Sequence, residues 1–307
     1  MTFSHLILQI LPLYFLILLG FIGGRFFHID PSQVAKLVVQ IIIPITFFNL
    51  IAKIDFSLKI LLLPLLLYAI AILNSVVFYK IGKNCFNDSR KNVLAMSSGL
   101  ANAGYFGLPI AMILFDEKTV SIYAISFMGL NFFEATFAYY YAHRVESSIG
   151  KSIIRVLKMP MFIGMVLGIF ASYFSYKTPV VMERFFINIT GAYATLGMLI
   201  VGMAISKIKE FKFDWLLISL TFLAKFLGWP LLSLGLIMLD KFYFGMFSSE
   251  YYKVIFLISI MPIAANAVVI ASFFKLHHEN MASSVFLSTI FALIYLPLLV
   301  LLVFPLL

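Results

Sequence analysis

The densest unusual chemistry in the chain is the stretch Ser97-Ser98-Gly99-Leu-Ala101-Asn102-Ala103-Gly104-Tyr105-Phe106-Gly107-Leu108-Pro109. Three glycines and a proline within thirteen residues weaken an α-helix. Proline removes a donor and clashes with the preceding turn, and each glycine costs up to about 1 kcal/mol relative to alanine. The surrounding sequence is apolar, so a break there persists only where protein or water satisfies the freed backbone. The chain is expected to unwind near residues 102–107 and to restart at about Pro109. A restarting helix offers free N–H groups and a partial positive charge, which suit an anion. A second apolar run contains Pro262-Ile-Ala264-Ala265-Asn266, a partner break. Glycines for close packing and prolines for kinks would explain one such segment. Two in matching positions, each with a nearby Asn, favour a binding site.

The candidate substrate-binding residues are therefore Asn102, Gly104, Tyr105, Gly107, Asn266 and Asn131, with Pro109, Pro262 and Pro44 as helix breaks. Asn131 has a second reading as an interhelical hydrogen bond worth about 0.6 kcal/mol. Glu134 and Lys225 lie deep in apolar runs. An ionised residue there costs at least about 2.5 kcal/mol on insertion scales, and such residues face cavities or pair with one another. Glu134 is the candidate proton carrier and Lys225 the anion partner or counter-ion; a buried Glu134–Lys225 pair without a transport role is the competing reading. Tyr139-Tyr140-Tyr141, Tyr251-Tyr252 and Trp215 read as interfacial belts. His277-His278 supply too few ligands for a metal site, and no cofactor is expected.

These residues must be positioned by helices in lipid. Of 307 residues, 63% are hydrophobic and 11% charged, against about 45–50% and about 25% in soluble domains. That composition excludes an ordinary soluble enzyme, a disordered chain and a nucleic-acid-binding module. Ten apolar runs stand out, roughly 6–24, 33–52, 58–79, 92–115, 119–142, 159–176, 185–206, 213–239, 252–274 and 282–306. Backbone groups in hydrocarbon must be satisfied within the segment, so the runs read as helices. Fourteen Lys and Arg fall in odd-numbered loops, seven in even-numbered ones and one within a span. The excess of basic residues places the odd loops in the cytoplasm, and both termini outside, in a cell (inner) membrane. The first run reads as a retained span rather than a cleaved signal peptide, and the segment 152–158 as a short helix lying on the membrane surface. The single cysteine, Cys85, permits no internal disulfide.

The halves resemble each other. Pro12 and Gly20 of the first run recur as Pro160 and Gly168 of the sixth, at an offset of 148, and Leu108-Pro109-Ile110-Ala111 recurs as Met261-Pro262-Ile263-Ala264. Five spans per half is odd, so the second half enters the membrane inverted, a pattern typical of secondary transporters with a midplane site at broken helices. The expected fold is all-α and integral to the membrane, with ten transmembrane helices as two inverted five-helix repeats and broken, crossing helices 4 and 9. The repeats span 1–143 and 159–307, joined by a cytoplasmic segment, 144–158.

Asn102-Ala-Gly104-Tyr-Phe-Gly107-Leu108-Pro109 resembles the signature of the auxin efflux carrier family, and Pro262-Ile-Ala264-Ala-Asn266 is similar to its second-crossover motif. Ile43-Pro44 and Lys225 with Pro230 also resemble it. The resemblance implies a scaffold domain and a mobile transport domain, carriage of a small organic anion such as malonate, malate or an auxin-like acid, and a homodimer. The loop between the halves is shorter than in many plant members. Apart from Asp214 at the very start of the eighth run, no Asp lies in any of the expected spans, so coupling to H⁺ must use another group; Na⁺ is the other candidate ion. A sodium-coupled bile-acid-type symporter and a non-transporting ligand sensor are the alternatives. Without paired intramembrane Asp, a Ser with a poised His, or a nucleotide-binding G-x-x-x-x-G-K-[ST] motif, neither proteolysis nor direct nucleotide hydrolysis is expected.

Overall fold

The computed structural model describes residues 3–54, 57–143, 154, 157–176, 178–208 and 212–307. The expected surface helix at 152–158 and the linker before it fall largely outside these residues. Among the described residues there is no strand. Seven helices there are long and apolar enough to cross a membrane. They are α1 (Leu6–Phe26 within Phe3–Phe26), α2 (Pro31–Ala52), α3 (Lys59–Cys85 within Leu58–Cys85), α5 (Glu117–Ala142), α7 (Val180–Ser206), α8 (Trp215–Phe244) and α10 (His278–Leu306). A shorter apolar helix, α6, covers Pro160–Tyr173. Two further segments are interrupted. One consists of α4a (Arg90–Gly99), a π turn (Ala103–Gly107) and α4b (Leu108–Leu114); the other of α9a (Ser249–Ser259) and α9b (Asn266–Phe273).

The helix ends follow from the sequence. Asp116 caps α5 by accepting from Thr119 N at 3.0 Å, and its hydrogen bonds with Thr119 hold the carboxyl below the usual carboxylate range. Asp214 caps α8 by accepting from Leu217 N at 3.1 Å. After α8, Gly245 adopts φ +58°, a left-handed conformation that costs glycine little. Buried Asp240 then gathers the following turn, accepting from Phe247 N at 3.0 Å and from the Tyr252 hydroxyl at 2.7 Å. Two expectations change here. The last π turn of α8 carries a buried Asp240 beyond the run ending at 239. Tyr252 is buried on that carboxylate rather than in an interfacial belt, whereas Trp215 is 66% exposed.

The helices sort into two bundles. In one, α1 packs along α7 and α2 along α6, with further contacts between α2 and α7. Backbones touch there: a Cβ on Gly20 would collide with the Leu199 carbonyl, and one on Gly202 with the Ile17 carbonyl. Small residues let lipid-embedded helices approach this closely. In the other bundle α3 packs on α4a and α5, α8 on α9a, and α9b on α10. The bundles meet where α7 crosses the π turn and α4b, and where α2 crosses α5.

Pro44 does not break its helix. α2 runs through it, with a π turn at Val38–Ile42 just before. That irregularity relaxes the bonding at the turn where proline clashes.

Candidate functional site at the helix breaks

The two interruptions touch. α4a ends at Gly99, residues 100–102 leave the helix, and Asn102 N donates to the Pro262 carbonyl at 2.8 Å. The helix restarts as a π turn closed by Gly107 N donating to Asn102 O at 2.9 Å. The unwound residues are therefore 100–102, not 102–107, and Pro109 follows the π turn as the second residue of α4b, where that wider turn relaxes the bonding its missing N–H cannot make. In the other segment residues 260–265 are irregular and include Pro262. The first-turn amides of a helix lack intrahelical acceptors, and Gly104 and Tyr105 at one restart, with Ala265 and Asn266 at the other, line the same space.

That space is a cavity of about 240 Å³. Asn102, Gly104 and Tyr105 line it from the first break, Asn131 and Glu134 from α5, and Ala264 and Asn266 from the second break. Val39 and Ile43 of α2, Met159 and Met161 at the start of α6, and Tyr193 of α7 form the opposite wall. Asn102 is 6% exposed. Asn266 is exposed to the cavity, and its amide donates to both Glu134 oxygens, at 3.2 and 3.4 Å. Asn131 Nδ2 reaches the Phe127 carbonyl one turn back at 3.4 Å while still lining the cavity.

Gly107 and Lys225 stand apart from this wall. A Cβ on Gly107 would strike the Tyr123 hydroxyl and come within 2.9 Å of Met261 Sδ, so Gly107 serves the packing of the two segments. Lys225 is fully buried in a π turn of α8, with Nζ 4.5 Å from the Trp229 ring centroid and no hydrogen-bond partner. None of the ion pairs among the described residues joins it to Glu134. Its amino group rests over the indole face.

The broken end of α4a must still be satisfied, since buried carbonyls without donors are costly. The Ser98 carbonyl accepts from Asn74 Nδ2 at 2.8 Å and from Trp229 Nε1 at 2.6 Å. Asn74 Nδ2 also reaches the Ala224 carbonyl, in the π turn of α8, at 3.1 Å. Ser75 Oγ donates to the Ala95 carbonyl at 2.7 Å. In the second segment Ile263 N donates to Ser288 Oγ at 3.3 Å. Reading the sequence did not find Asn74, Trp229 or Tyr193. For Asn74 a signal existed: an amide beside Ser75 in the middle of the apolar run 58–79.

Comparison with known proteins bears on what such a cavity serves. A family profile described as "Membrane transport protein" matches residues 142–300. An uncharacterized transporter of Methanocaldococcus jannaschii is 26% identical over 299 residues, covering 93% of this chain and 94% of its own length. The profile covers the second half, whereas the signature at 102–109 lies in the first.

Proposed function

Starting from the membrane transport protein family, to which the chain belongs, we propose that it is a secondary-active carrier of a small organic anion, bound where the two broken segments cross. The observation that carries this reading is the hydrogen bond from Asn102 N to the Pro262 carbonyl. It brings two helix restarts to one cavity, so both sets of free amides act on one anion. Asn102 adds a side-chain amide. The auxin-carrier resemblance of residues 102–109 supports the same assignment.

The proposed architecture counts the two broken segments and α6 as spans beside the seven long helices, giving ten in two inverted repeats, 1–143 and 159–307. Packing supports the inversion. Gly20 abuts Leu199, and Gly168 abuts Ile51. Adding 148 to the first glycine and subtracting 148 from its partner converts one contact into the other. The bundle of α1, α2, α6 and α7 would be the scaffold and the other bundle the moving part. With odd loops in the cytoplasm, the Met159–Met161 end of the cavity faces inward.

The lining suits a particular anion. No Lys, Arg or His is among the lining residues, and the scaffold wall is largely apolar. One carboxylate at the restarts and an apolar remainder against α2 and α6 fit better than a dicarboxylate. The cavity also contains Glu134. Two negative charges in one water-poor cavity repel, so anion and proton travel together. A protonated Glu134 leaves the substrate as the only net charge there.

The test is uptake into proteoliposomes of labelled pyruvate, phenylpyruvate, malonate and malate under imposed pH or sodium gradients. Uptake of monocarboxylates driven by an inward proton gradient is expected, with Glu134→Gln losing that dependence. Full pH dependence in Glu134→Gln overturns the proton role. Sodium-driven uptake without response to pH favours a bile-acid-type symporter, and no flux under any gradient overturns the carrier reading.

A further inference from the structure

Resting on the carrier reading, we infer that Tyr193 is the state-selective substrate contact: its hydroxyl holds the carboxylate in the conformation seen here and releases it when the bundles shift. Among the lining residues, the α1, α2, α6 and α7 bundle supplies apolar side chains apart from Tyr193. The other polar side chains come from the opposite bundle and would travel with the substrate. Tyr193 is 1% exposed. Its hydroxyl lies 3.6 Å from the position a Cβ would take on Gly104. Gly104 sits in the first turn of the restart, so the phenol points at the place where the free amides collect.

The helix carrying Tyr193 is shaped for sliding. Gly197, one turn along, lets α7 lie against the restart: a Cβ there would come within 3.1 Å of the Tyr105 carbonyl. Alternating access moves one bundle against the other around the site. A contact across that seam exists in one state and not in the other, and a ligand favours the state in which it gains the contact. The phenol thus makes affinity differ between the two faces. A hydroxyl hydrogen bond to a carboxylate is worth about tenfold or more in affinity.

The experiment measures KM from each face in proteoliposomes of known sidedness, using whichever of pyruvate and phenylpyruvate the wild type carries faster. Tyr193→Phe is expected to raise KM about tenfold from the face to which the cavity now opens, and to change it by less than about twofold from the other. Gly104→Ala gives an independent check. Its methyl makes an ordinary contact with the hydroxyl yet fills the seat that travels with the substrate, so, unlike Tyr193→Phe, it should raise KM at both faces. Melting temperatures of both variants should match the wild type. A Tyr193→Phe KM that is unchanged, or raised equally at both faces, overturns the proposal and leaves the carrier reading standing. A wild type that carries neither acid overturns the carrier reading and this inference with it.

Discussion

The two breaks differ in how they are held. At residues 100–102 the freed end of α4a is gripped by buried side chains from two other helices, Asn74 of α3 and Trp229 of α8. At residues 260–265 the chain is longer, more apolar and tied by fewer polar side chains, among them Ser288 at 3.3 Å. Their prolines match in the sequence repeat, yet the chain is open seven to nine residues before Pro109 in one segment and around Pro262 in the other. Proline therefore does not locate a break. The opening falls where neighbouring side chains can receive the freed carbonyls. The asparagines differ too: Asn266 is engaged by the protein's own carboxylate, Glu134, whereas the Asn102 side chain faces the cavity.

Severing the grips tests this contrast, and the largest effect belongs to the first break. Asn74→Ala removes one of the two side-chain donors to the Ser98 carbonyl and the side-chain donor to the Ala224 carbonyl, and each lost hydrogen bond is worth about 1 kcal/mol. A clear fall in melting temperature in detergent is expected, and an unchanged one would show that the first break is not held as described. Next comes Asn102→Ala, which keeps the fold but removes the open amide. Its KM for the carried anion should rise about 10- to 100-fold, the range for a hydrogen bond to a charged group. Asn266→Ala should raise KM less and instead shift the pH dependence of uptake, because it frees Glu134. Equal effects of the two on KM alone would erase the distinction between an open and an occupied asparagine. The smallest effect is expected for Ser288→Ala. Its long hydrogen bond serves the looser break, and melting should move by no more than a few degrees, since about 1 kcal/mol shifts a domain of this size little.

Much of this was legible in the sequence, because lipid leaves the backbone few options. The apolar runs 58–79 and 185–206 lie within α3 and α7, and the crowding of glycine and proline announced the first break. Its placement was not legible. Glycines 99, 104 and 107 look alike in sequence but meet different neighbours: Gly99 lies under the Phe133 ring, Gly107 under Tyr123, and Gly104 opens on the cavity. Pro44 likewise looked like a break and is absorbed by a π turn. Tyr193 was hidden because one phenol in an apolar run carries no periodic signal, and only the crossing of α7 over the restart gives it a task.

The glycine contacts between α1 and α7 have a mechanical consequence. With main chain against main chain at Gly20 and Gly202, no side-chain layer remains there to shear, and neither lipid tail nor water fits between. That pair should behave as one stiff plate, so any large motion must be hinged elsewhere, along the softer boundary where α7 rides over the restart. A bulky residue at position 20 or 202 would spoil assembly of the plate and leave the chemistry of the cavity untouched in whatever fraction still folds.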